Sequence, residues 1–146
     1  MQQIKRISLA LTLYFLFFVT MAYAQMSGKC AEVVRNMKVP LERAMAVHKS
    51  MQQTLNSDQP IDKYNRHVNI LVGNLEREAS RMERLLVAAK QRGCDKLVQM
   101  MRDHIVNTKN IYNEMMASIQ LPAPKEPLGK QNEKLKSELE FLMEIH

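Results

Sequence analysis

Residues 61–94 read IDKYNRHVNILVGNLEREASRMERLLVAAKQRGC. Apolar side chains recur along this stretch at Ile61, Tyr64, Val68, Leu71, Leu75, Met82, Leu85 and Ala89. Their separations are three, four or seven residues. That is the period of one face of a helix, not the alternation of a strand. The spacing predicts a helix from about Ile61 to Arg92. Residues Asn56 to Pro60 form the turn before it, with Ser57 or Asp58 as a capping side chain and Pro60 and Asp62 in the first turn. Gly93 supplies a left-handed stop, and Cys94 follows at once.

Reading outward, a second periodic face lies upstream at Val34, Met37, Leu41, Ala44, His48, Met51 and Leu55. It predicts a helix from about Lys29 to Leu55, kinked or restarted at Pro40, which lacks an amide donor. Downstream, Leu97, Met101, His104, Ile105, Thr108, Ile111, Tyr112, Met115 and Ile119 predict a helix from about Asp95 to Ile119. Leu121 to Pro127 contains three prolines and is expected to be a stiff, extended linker. A last amphipathic helix is predicted from about Leu128 to Ile145, with Leu135, Leu139, Leu142 and Ile145 on one face.

No strand-like alternation, internal repeat or low-complexity tract occurs. The fold class expected is all-α: an antiparallel bundle of three long helices, then a C-terminal amphipathic helix after a Pro-rich linker. In domain terms the expectation is a signal peptide at 1–24, a bundle at 25–121, a linker at 122–127 and a C-terminal helix at 128–146.

The signal peptide is read from Lys5 and Arg6, an apolar stretch from Ile7 to Met21, and Ala22-Tyr23-Ala24 before Gln25. Basic, apolar and small-residue parts in that order mark an exported chain cut after Ala24. An uncleaved anchor is the rival expectation. Lys29 beside Cys30 does not suit a lipoprotein cleavage site. Cleavage removes two bases and no acid, so the net charge of +6 falls to +4. So small an excess, outside the cytoplasm, argues against nucleic acid as a partner. Tyr64, Tyr112 and Phe141 are the aromatics beyond residue 24, and there is no tryptophan. Leu, Ile, Val, Ala and Met must therefore fill the core.

Cys30 and Cys94 are the two cysteines of the chain. Export favours a disulfide. In an antiparallel hairpin the start of the first helix meets the end of the second, which brings these two residues together. A redox or metal-binding pair is the alternative, since Lys29, Arg92 and Lys96 flank them.

Motifs for catalysis are missing: there is no Gly-rich phosphate loop, no His-Glu-x-x-His and no serine elbow. Asp103 and His104 form a dyad without a third member. The chain is expected not to be an enzyme. Met45, His48 and Met51 lie at three-residue steps, and Met100, Met101 and His104 lie within one turn. Met37, His48, Met51, Met101 and His104 are thus a candidate pool for haem or copper, without which no cofactor is expected. The bland alternative is that the methionines are core and each histidine is satisfied by a carbonyl or an acid.

Arg77, Arg81 and Arg84 share one side of the second helix and suit an anionic partner such as a membrane surface or an acidic protein. Glu76, Glu78 and Glu83 interleave with them, which points instead to an ordinary solvated face. Asn107, Asn110 and Asn113 recur along the third helix, and Asn65 and Asn69 along the second. Asparagine is a poor helix former, so these positions call for interhelical bonds or a polar contact surface. The function expected is a periplasmic or secreted helical protein acting through contacts with an envelope protein, as an accessory subunit or chaperone-like factor. The last helix is its expected contact element, toward that partner or a second copy of this chain.

Overall fold

The computed structural model describes residues 28–145; the expected signal peptide and the terminal His146 lie outside them. Four helices make up all the regular structure of the described residues: α1 (Gly28–Leu55), α2 (Ile61–Gln91), α3 (Asp95–Ile119) and α4 (Lys125–Glu144).

Each helix packs on its sequence neighbour, and α4 closes the ring on α1. Side-chain bonds give the directions. Arg92 at the end of α2 reaches Glu32 at the start of α1. Lys109 of α3 meets Glu83 of α2, and Tyr112, further along α3, meets Glu76, further back along α2. Gln131 of α4 meets Ser118 of α3, and Glu138 meets His104. Every neighbouring pair is therefore antiparallel, and the chain runs up, down, up, down. The last helix completes the bundle and does not swing away from it.

The predicted face of α1 is buried in full, joined by Val33, Val47 and Thr54. On α2, Tyr64, Val68, Leu75, Met82 and Ala89 are buried, and Leu71 and Leu85 pack against the core's edge. Ile61 is 65% exposed, contrary to its predicted place on the core face. It sits in the first turn, beyond the level at which α2 meets its neighbours. Met37, Met51, Met82, Met101 and Met115 are almost wholly buried and fill the centre in place of aromatic rings.

The connections differ more from expectation than the helices do. α2 starts at Pro60 with no side-chain cap. Ser57 turns back instead, donating to the Thr54 carbonyl at 2.7 Å and closing the end of α1. α1 runs on through Pro40 without restarting. The Pro-rich stretch is no extended linker, because α4 begins at Lys125 and takes Pro127 into its first turn. An amide is dispensable there, since the first helical N–H groups have no partner inside the helix.

Gly93 behaves as read, with φ of 73°. The Cys94 amide donates to the Ala89 carbonyl at 3.0 Å and the Gly93 amide to that of Lys90 at 3.1 Å, a Schellman ending. This ending turns Cys94 back onto the start of α1. The Cys30 and Cys94 sulfurs lie 2.14 Å apart, at disulfide distance, with Cα atoms 5.8 Å apart.

Candidate functional site

Both core-facing histidines hold α4 in place. His48 of α1 is buried, and its Nδ1–H donates to the backbone carbonyl of Asn132 at 3.1 Å. Asn132, fully buried, returns a bond from Nδ2 to the His48 carbonyl at 3.1 Å. His104 of α3 is half-buried, with Nδ1 at 2.5 Å from a Glu138 carboxylate oxygen. Asn107 donates to the other oxygen of Glu138 at 3.0 Å, which gives one of the stripe asparagines its interhelical bond. The ring of Phe141 stacks on His104 with centroids 3.8 Å apart.

Asn132 and Glu138 are six residues apart on one helix. The two histidines therefore sit on layers separated by roughly 9 Å. Met51 lies one turn from His48 and Met101 one turn from His104, while Met37 is three turns further down α1. The two histidines of the candidate haem or copper pool, each with a methionine one turn away, thus fall on different layers of the bundle. Among the described residues no three His, Cys, Asp or Glu side chains cluster where a metal ion could be held. Asn132 and Glu138 are the residues that sequence reasoning missed, since only the packing of α4 reveals that they partner the histidines.

Leu135, Leu139 and Leu142 are wholly buried and Ile145 is nearly so. The expectation that this face is offered to a partner is corrected: it is spent on the bundle's own core, against α3 and α1. Of the cationic neighbours of the cysteines, Arg92 is committed. The Arg92 guanidinium donates to Glu32 at 3.0 Å and to the Lys29 carbonyl at 3.2 Å, locking the base of α1 to the end of α2 beside the Cys30–Cys94 pair.

The arginines of α2 deserve a different account from the one their sequence suggests. Of the three interleaved glutamates, two turn away from them. Glu83 pairs with Lys109 of α3 at 2.8 Å, and Glu76 hydrogen-bonds Tyr112 of α3. Only Glu78, which is 5% exposed, meets an arginine, and both its oxygens lie 2.9 Å from one nitrogen of Arg81. Arg84 is left without an ion-pair partner among the described residues.

Arg81, Arg84 and Leu85 form one wall of an open groove of about 340 Å³ between α1 and α2. Asn36, Val39, Pro40 and Arg43 form the other. Arg43, exposed, is likewise unpaired. Pro40 brings the missing amide of the helix to this face, so the Asn36 carbonyl lacks the donor that position 40 would otherwise supply. The sequence signal for this wall was present, because Asn36, Pro40 and Arg43 share a helical face. It became legible only once α2 was seen to pack beside it.

No family model matches the chain, and comparison with curated proteins and with solved structures likewise finds no match. Among the described residues, no helix is long and apolar enough to cross a membrane.

Proposed function

We propose that this chain is an exported, non-enzymatic helical bundle that acts through protein contacts in the cell envelope, as an accessory subunit or chaperone-like factor. The N-terminal pattern ending at Ala24 supports export, and a cysteine pair at bonding distance suits an oxidising compartment. The observation that carries the contact role is how the polar side chains are used. His48, Asn132, His104 and Glu138 tie helices to one another, whereas Arg43 and Arg84, without ion-pair partners among the described residues, lie exposed on the outer surface. Exposed apolar side chains such as Val87, Val106 and Phe141 add contact area around the bundle. The contact surface is thus the bundle's exterior and not the apolar face of α4.

Site-specific photo-crosslinking in the native envelope tests this. A crosslinkable residue is placed in turn at Arg84, Val106 and Phe141 of the full chain. A discrete adduct with another protein at one or more positions is the expected result. Only unmodified monomer at all three would end the proposal.

A further inference from the structure

We infer that the groove between α1 and α2 binds an acidic segment of a partner protein, with carboxylates at Arg43 and Arg84 and a small apolar side chain on Val39 and Leu85. The inference rests on the protein-contact reading above and names the surface and the partner's chemistry.

Charge complementarity is the first reason. Three guanidinium groups line the groove, and one carboxylate, that of Glu78, answers them. That carboxylate is buried and saturated by Arg81, which leaves two positive charges uncompensated at the rim. The acids that would have balanced them in sequence are held on the opposite side of α2 by Lys109 and Tyr112. The site therefore has a net attraction for anions that an evenly mixed helical face would lack.

The second reason is the backbone. Asn36 and Pro40 both line the groove, and Pro40 has no amide to donate to the Asn36 carbonyl. A peptide supplies both partners this wall wants, an N–H donor and carboxylates, whereas a simple anion supplies one. The groove's volume lies at the low end of the roughly 300–1,000 Å³ typical of ligand pockets, and it is open along its length. Such a shape suits a few side chains of a docked segment better than an enclosed small molecule. Arg81 lines the groove with one guanidinium nitrogen donating to both oxygens of Glu78.

The test is fluorescence anisotropy with the exported chain, residues 25–146, oxidised. The probe is a fluorescein-labelled octapeptide alternating glutamate and leucine. Saturable binding is expected, weakened about three- to fivefold by each of Arg43→Ala and Arg84→Ala and weakened further by added salt. Arg102→Ala, on the exposed side of α3, should leave it unchanged. Arg81→Ala is avoided because it strands a buried carboxylate. Absence of binding, equal binding of the glutamine–leucine peptide, or unchanged affinity in both groove variants would overturn the inference. Phosphatidylglycerol vesicles that bind through Arg84 when the peptide does not would also overturn it, in favour of a membrane contact. A protein crosslinked at Val106 or Phe141 together with no peptide binding removes the groove and leaves the contact role standing.

Discussion

His48 and Asn132, 84 residues apart in sequence, exchange hydrogen bonds across the α1–α4 interface. The carbonyl of Asn132 can only accept, so the histidine's Nδ1 carries the proton. The return bond from the Asn132 side chain fixes α4 in both height and rotation against α1. Neutral buried hydrogen bonds add little net stability, but leaving a partner unmet costs more, so the pair acts chiefly to select one register of α4.

Asn132→Ala is accordingly expected to lower stability by about 1–3 kcal/mol, because the His48 carbonyl loses its donor and a small cavity opens. Urea unfolding followed by circular dichroism measures it. An unchanged midpoint would mean that the register is set elsewhere.

The Cys30–Cys94 pair closes a loop of 64 residues around α1 and α2. On the chain-entropy account a bridge over such a loop stabilises by roughly 4 kcal/mol. Reduction, or the paired substitution Cys30→Ser with Cys94→Ser, should lower the thermal midpoint sharply while the helical signal at low temperature remains. Melting curves with and without reductant decide it. Coincident curves would show that the sulfurs, though adjacent, contribute no constraint.

The Tyr64 hydroxyl is buried without a hydrogen-bond partner. Burial also raises its pKa above the ordinary 10.0. Burial raises that of Tyr112 as well, helped by the charge of Glu76 and the hydrogen bond to it. A phenol with a raised folded pKa keeps its proton in the folded chain after the unfolded chain has lost it. The folded state thus keeps its full advantage below about pH 10 and loses stability as pH climbs toward the folded value. Tyr64→Phe removes both the stranded hydroxyl and its share of the alkaline loss. It should stabilise the protein by about 1 kcal/mol at neutral pH and by more above pH 10. A less stable variant at both pH values would show that the hydroxyl is satisfied in solution.

The helical faces were legible because one period of apolar residues suffices to place a helix, and Gly93 with Cys94 even fixed how α2 ends. Ile61 was misplaced because periodicity does not reveal how far a neighbouring helix extends. The Pro-rich stretch misled because Pro127 is incompatible with a helix interior but harmless in a first turn. The partners of His48 and His104 were out of reach, since nothing local ties position 48 to 132 or 104 to 138. The glutamates around Arg84 looked neutralising because interleaving in sequence does not show which way a side chain turns once a second helix lies on each flank.

α4 offers the sharpest contrast between the sequence expectation and the fold. Had Leu135, Leu139 and Leu142 awaited a partner, shortening one of them would leave the isolated chain as stable as before. They are instead wholly buried in the bundle. Leu139→Ala should therefore cost about 2–5 kcal/mol by leaving a cavity between α4 and its neighbours. Phe141→Ala, two residues along but 44% exposed and stacked on His104, should cost about 1 kcal/mol. Removing Leu128–His146 altogether should abolish cooperative unfolding, because α1 and α3 then lose the side chains that seal them. Chemical denaturation of the three variants reads the order directly. Equal stability of Leu139→Ala and the parent chain would return α4 to its expected place as a free contact helix.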